Sequence, residues 1–147
     1  MHVLTHPHGC LPNSTSTRSP RILCVDDDPD IQTAIELRMR KYDVEVEHAF
    51  YGMQGIVEAA QCSPDLILMD QAMPHGNGEY LLEAVKSNPA TSAIPVIVLT
   101  GMRDPNLKHR LMQAGAEAYL NKPVHFDELV HHISRFIDLR EREVEGE

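Results

Sequence analysis

From residue 21 to residue 137, short apolar runs alternate with stretches whose apolar residues recur at helical spacing, and that alternation leaves few folds open. Strand and helix in repeated succession close most simply into a parallel sheet with helices on both faces. The runs at 21–25, 65–69 and 96–100 are nearly all apolar, as strands covered on both sides must be. The run at 44–49 instead begins Val44-Glu45-Val46-Glu47, which predicts an edge strand with one wet face. A fifth run, at 118–120, completes the set. The expectation is a doubly wound, five-stranded parallel α/β sheet with five helices.

Helical periodicity fills the intervals. Residues 30–41 carry Ile31, Ala34, Ile35 and Met39 on one face and close with Arg40 and Lys41, whose charges complement the helix dipole. Residues 52–61 form the second helix despite Gly55, which costs about 1 kcal/mol relative to Ala in a helix interior. Helices over 79–87 and 106–114 follow. The last, starting near Asp127, aligns Leu129, Val130, Ile133, Phe136 and Ile137 in one stripe.

A chain of 147 residues with 42% hydrophobic content suits one core, here placed at 21–137. Residues 1–20 are rich in Pro, Ser, Thr and Gly without apolar periodicity, so a flexible tail is expected. Its His2, His6 and His8 lack the further ligands that would complete a metal site. Residues 138–147 mix charges of both signs and read as a fraying helical extension or tail, leaving no room for an output domain after 137.

Thirteen Lys and Arg residues against 22 Asp and Glu residues give a net charge of -9, which opposes direct contact with a nucleic-acid backbone. Cys10, Cys24 and Cys62 are odd in number and without metal-type spacing, so no disulfide framework or zinc site is expected. No run nears the ~20 apolar residues that span a bilayer, and a cytoplasmic, soluble protein is the expectation.

In doubly wound folds, ligands bind outside the carboxyl ends of the strands. The residues at those ends are Asp26, Asp27 and Asp28 after the first strand, Asp70 after the third, Thr100 and Gly101 at the fourth, and Asn121, Lys122 and Pro123 at the fifth. Three consecutive carboxylates are costly, since two unit charges ~4 Å apart repel by ~4 kcal/mol at an effective dielectric of ~20. A cation among them offsets that cost. Oxygen donors of this kind suit Mg2+, which binds through one or two carboxylates, waters and phosphate oxygens. Asp70 is placed as a nucleophile toward a phosphoryl group whose charge the metal and Lys122 offset. Asp28, immediately before Pro29, fits a helix N-cap and is expected to contribute ~1 kcal/mol there.

At these residues the chain resembles a response regulator receiver domain, the phosphoacceptor module of two-component signalling, over about residues 21 to 137. "VDDDP" resembles the family's acidic pair, "LILMDQAMPHGNG" its phosphoacceptor segment, "VIVLTG" its hydroxyl strand and "AYLNKP" its lysine-proline segment. The resemblance implies strand order 2-1-3-4-5 and phosphorylation at Asp70. It implies Mg2+ held by Asp27 directly, Asp26 mostly through water, Asp70 and the Ala72 carbonyl. Thr100, Gly101 and Lys122 would contact the phosphoryl group, with a cis Lys122-Pro123 peptide. Thr100 and Tyr119 would form the switch, reshaping the face made by the fourth helix, fifth strand and fifth helix. Gly78 falls where the family often has glycine.

The implied partners are a histidine kinase or histidine phosphotransfer protein and a downstream protein target, with the receiver a monomer or weak dimer that assists its own phosphorylation and dephosphorylation without being an enzyme. Ala72 is a departure, since many relatives carry a polar side chain there; we expect it to alter acyl-phosphate lifetime, an effect that Met102 can cancel by shielding the site. A pseudo-receiver or phosphate sink is the alternative binding module. A Mg2+-dependent aspartate phosphatase is the alternative enzyme, and it lacks its general acid because position 72 is alanine.

Overall fold

The computed structural model describes residues 18–71 and 78–143. Within them, strands β1 (Arg21–Val25), β2 (Glu45–Ala49), β3 (Leu66–Met69), β4 (Val96–Thr100) and β5 (Ala118–Asn121) alternate with helices α1 (Pro29–Met39), α2 (Gly52–Cys62), α3 (Gly78–Ser87), α4 (Pro105–Gln113) and α5 (Phe126–Ser134). The strands form one sheet in the order β2-β1-β3-β4-β5, and every pairing is parallel. The predicted edge strand is at the edge, and its Glu45 is exposed.

Alternation within the central strands divides the core in two. Leu23, Val25, Ile67, Met69 and Val98 pack against Leu81, Leu82 and Leu111 of α3 and α4, whereas Cys24, Leu68, Ile97 and Leu99 pack against Ile35, Met39, Leu129 and Ile133 of α1 and α5. Each such side chain contributes about 1.5–3 kcal/mol on full burial, and this accounts for the continuous apolar reading of the central strands.

The register brings the strand ends level. Val25 lies opposite both Ala49 and Met69, and Thr100 lies opposite Asn121. The ladder continues one residue further: Asp26 N–H donates to Ala49 O (3.0 Å), Asp70 N–H to Val25 O (3.0 Å) and Lys122 N–H to Thr100 O (2.8 Å). The polar residues after the strands therefore leave the sheet along one edge.

Expectations change in α1 and after α5, while the second helix is found as expected. In α1 the buried residues are Gln32, Ile35 and Met39, while Ala34 is exposed, so the inward face is rotated to admit a glutamine. Gly55 lies in a regular α2, and an added Cβ would stand 3.0 Å from a Val25 methyl, so its absence lets the helix sit close on β1. The last helix ends at Ser134, although Ile137 stays in the core. Residues 140–142 are not a helical extension: Asp43 N–H donates to Arg140 O (2.7 Å) and Arg142 N–H to Lys41 O (2.8 Å), an antiparallel bridge to the loop after α1.

Cys24 is a free thiol that burial pushes up in pKa. Cys62 is disulfide-bonded, which corrects the expectation: an odd cysteine count leaves one thiol over but does not prevent a pair. Among the described residues, no helix is long and apolar enough to cross a membrane. The expected tail at 1–17, with its histidines, and residues 144–147 lie outside the described residues.

Candidate functional site

The acidic triplet separates by role as it leaves β1. Asp26 is only 3% exposed, Asp27 is exposed, and Asp28 caps α1 by accepting from Asp30 N–H at 2.9 Å. Asp70, directly after β3, is also buried. One carboxylate oxygen from each of Asp26, Asp27 and Asp70 falls in a group whose members lie within 4.8 Å of one another.

Lys122 follows β5 through a cis Lys122-Pro123 peptide and brings its ammonium into this group. Its Nζ stands 3.0 Å from Asp26 Oδ2 and 3.6 Å from Asp70 Oδ2. Asp26 Oδ1 accepts from Asp28 N–H at 2.9 Å, so both of its oxygens carry partners.

Burial raises the Asp26 pKa, and the Asp28 N–H and the Lys122 ammonium offset only part of that rise. Burial acts on Lys122 in the opposite sense, but the hydrogen bond and charge of Asp26, joined by Asp70, leave its pKa raised as well. Burial thus disfavours charge on both side chains, and the pairing with Asp26 and Asp70 outweighs it only at Lys122. Three carboxylates against one ammonium is a donor set short of a cation, made of hard oxygen ligands without a soft donor among them, and it fits Mg2+.

Thr100 is fully buried at the end of β4, and its Oγ1 accepts from Met102 N–H at 3.2 Å. Gly101 is exposed, with no atom within 4 Å of the place a Cβ would take. Tyr119, in β5, donates its hydroxyl to Met102 O at 3.0 Å, and Asn121 Nδ2 donates to the same carbonyl at 3.0 Å. Burial, with the charge of Asp104 behind it, raises the Tyr119 pKa and keeps that hydroxyl a donor. The loop after β4 is thus tied both to Thr100 and to β5.

Of the predicted site residues, Asp26, Asp27, Asp70 and Lys122 converge directly, and Thr100 and Tyr119 are joined through Met102. Ala72 lies outside the described residues. Gly78, at the start of α3, proves a packing requirement: an added Cβ would stand 2.8 Å from Gln71 Cα and 2.9 Å from Asp70 O. His125 and His131 are exposed, as expected of surface histidines, whereas His132 is half-buried with its Nδ1 out of reach of solvent.

Sequence reasoning missed Gln32, which lies 3% exposed beside the acidic loop and whose signal was its spacing with Ile35 and Met39 on the inward face.

A family model described as the response regulator receiver domain matches residues 22–134. Among curated relatives, a hybrid signal transduction histidine kinase D of Dictyostelium discoideum is 34% identical over 82% of this chain and 8% of its own length. Protein PilH of Pseudomonas aeruginosa is 36% identical over 78% of this chain and 94% of its own. The chain spans from 8% to about half (51%) of the length of the first curated relatives it matches. A solved receiver domain of a Pseudomonas aeruginosa sensor histidine kinase, with a magnesium ion coordinated in the active site cleft, superposes with a TM-score of 0.74 at 30% identity over 80% of this chain and 92% of that one.

Proposed function

The chain belongs to the response regulator receiver domain family, and on that premise we propose that Asp70 accepts a phosphoryl group from a phosphohistidine of a partner histidine kinase or histidine phosphotransfer protein. The observation that carries this reading is the convergence of three carboxylates and one ammonium at the carboxyl edge of a parallel sheet. An Asp70 oxygen attacks phosphorus, the bond between phosphorus and the partner's imidazole nitrogen breaks with its electron pair passing to that nitrogen, and an acyl phosphate forms.

Lys122, already 3.6 Å from Asp70 Oδ2, contacts the incoming phosphoryl oxygens, together with the Thr100 hydroxyl and the Gly101 main chain. Asp27, Asp70, the Ala72 carbonyl and, through water, Asp26 would hold Mg2+, which would supply the remaining charge neutralisation. The two partners already on the Asp26 carboxylate support its indirect share.

Thr100, once drawn to the phosphoryl group, gives up Met102 N–H, and the loop then releases Tyr119. A cavity of about 330 Å³ lined by Arg103, Asp104, Pro105, Lys108, Tyr119 and Asn121 lies where that movement changes the α4–β5–α5 surface. A downstream protein reads the changed surface. The receiver module comprises residues 21–137, acts in the cytoplasm as a monomer or weak dimer, contacts no nucleic acid, and assists its own phosphorylation and dephosphorylation.

Two neighbouring substitutions test the assignment. Asp27→Ala is expected to abolish Mg2+-dependent phosphoryl uptake from a small phosphodonor, measured by mass. Asp28→Ala retains uptake and loses ~1 kcal/mol of stability with its cap. The reverse ranking would show the roles along the triplet to be misassigned.

A further inference from the structure

Gln32 is a polar residue in the second half-turn of α1, yet it is 3% exposed. Its Nε2 lies 3.0 Å from Cys24 O, 3.1 Å from Asp26 O and 2.9 Å from Ala49 O, so two amide hydrogens are shared among three carbonyl oxygens. The reversed amide would set an oxygen against three acceptors, so chemistry fixes its orientation. Ala49 O also accepts from Asp26 N–H, and a single side chain therefore joins the ends of β1 and β2 to the first main-chain carbonyl of the acidic loop.

The remaining Gln32 atom, Oε1, meets Nδ1 of His48 on β2. The other ring nitrogen, Nε2, lies 2.8 Å from Glu36 Oε1, one turn beyond Gln32 on α1. Gln32 Oε1 can only accept, so His48 Nδ1 carries the hydrogen between them, and Nε2 stands beside the Glu36 carboxylate. The amide is thus held from behind while its N–H groups hold the loop.

We propose that Gln32, oriented by His48 and Glu36, is the positioning residue that holds the acidic loop in its cation-binding geometry. This rests on the reading of Asp26, Asp27 and Asp70 as the Mg2+ site. Gln32 touches no reacting atom; it acts through the Asp26 carbonyl, and partners of this kind typically govern metal affinity by 10–100-fold.

The test uses the full chain, with Mg2+ titrated calorimetrically and amide hydrogen exchange followed at Asp27 and Asp28. Gln32→Met removes both donors at similar length. It is expected to weaken Mg2+ binding by about 10-fold or more and to speed exchange at Asp27 and Asp28 while β4 keeps its protection. His48→Leu weakens binding to a lesser degree, and His48→Asn, whose amide nitrogen takes the place of Nδ1, restores it. Thr91→Val, which deletes a buried hydroxyl bonded to Val85 O at 2.7 Å in the connection between α3 and β4, leaves Mg2+ affinity unchanged.

Wild-type affinity and exchange in a folded Gln32→Met protein overturn the proposal, as does an equal loss in Thr91→Val. If Gln32→Met does not fold, the His48 pair decides, and equal Mg2+ affinity in His48→Leu and wild type overturns it. A wild-type protein that takes up no Mg2+ overturns the reading of the site instead, and the exchange rates then decide the role of Gln32 by themselves.

Discussion

The two edges of the sheet are both crowded with charge, but only one of them is balanced. At the edge where the strands begin, the buried Arg21 guanidinium lies 3.2 Å from Glu45 Oε1 and donates to Cys62 O at 3.0 Å. Arg21 N–H donates to Asp65 (2.8 Å), Val96 N–H donates to Glu117 (2.8 Å), and Lys86 lies 3.2 Å from the other Glu117 oxygen. Each of these carboxylates closes a strand end and meets a cation or an N–H group. At the edge where the strands finish, three carboxylates gather, and the Lys122 ammonium lies against two of them, Asp26 and Asp70.

Charge at a strand end is therefore no mark of function by itself. What distinguishes the carboxyl edge is an excess of carboxylates held together at a cost, with Asp26 buried and its pKa raised by that burial. The beginning edge contributes stability, whereas the finishing edge stores an incomplete ligand set.

That contrast breaks most sharply at Lys122. Lys122→Met is expected to lower phosphoryl uptake by about 100-fold or more, the usual loss when one charge-stabilising donor is removed from a reacting centre. Single-turnover uptake from a small phosphodonor measures it, and an unchanged rate would remove Lys122 from the chemistry.

Arg21→Ala should do the opposite. It strips a charged hydrogen-bond donor from a buried carbonyl, costs about 2–3 kcal/mol in urea unfolding, and leaves phosphoryl uptake at the wild-type rate. A loss of uptake in the folded variant would mean that the two edges are not independent.

Asp26 sharpens the comparison through pH. Its pKa is raised by burial, so the folded protein holds this proton more tightly than the unfolded chain does. That contribution to stability is complete below the ordinary carboxyl value and is lost as pH rises through the raised value. Asp26→Asn, which has no proton to lose, should match wild type in acid and melt at a higher temperature at pH 7. A lower melting temperature at pH 7 would show that Lys122 more than offsets the burial of Asp26.

The sequence announced the carboxyl edge because its residues follow directly from strand ends, and a parallel sheet brings all such ends to one side. Asp26, Asp70, Thr100 and Lys122 needed no knowledge of side-chain packing. Gln32 was not legible in that way, since its burial depends on carbonyls from two strands and on a histidine sixteen residues away. The bridge from residues 140–142 to the loop after α1 was equally hidden: charged residues without periodicity give no sign of a main-chain partner about a hundred residues earlier. The second helix was read correctly despite Gly55, but the reason glycine stands there was not legible, because propensity records its cost in a helix and not the close packing on Val25 that it permits.

The central claim is most directly tested by intact-protein mass after incubation with a small phosphodonor, with and without Mg2+, in wild type and Asp70→Asn. The account predicts one added phosphoryl group that requires Mg2+ and is absent from Asp70→Asn. No added group in wild type, or one that persists in Asp70→Asn, would contradict it.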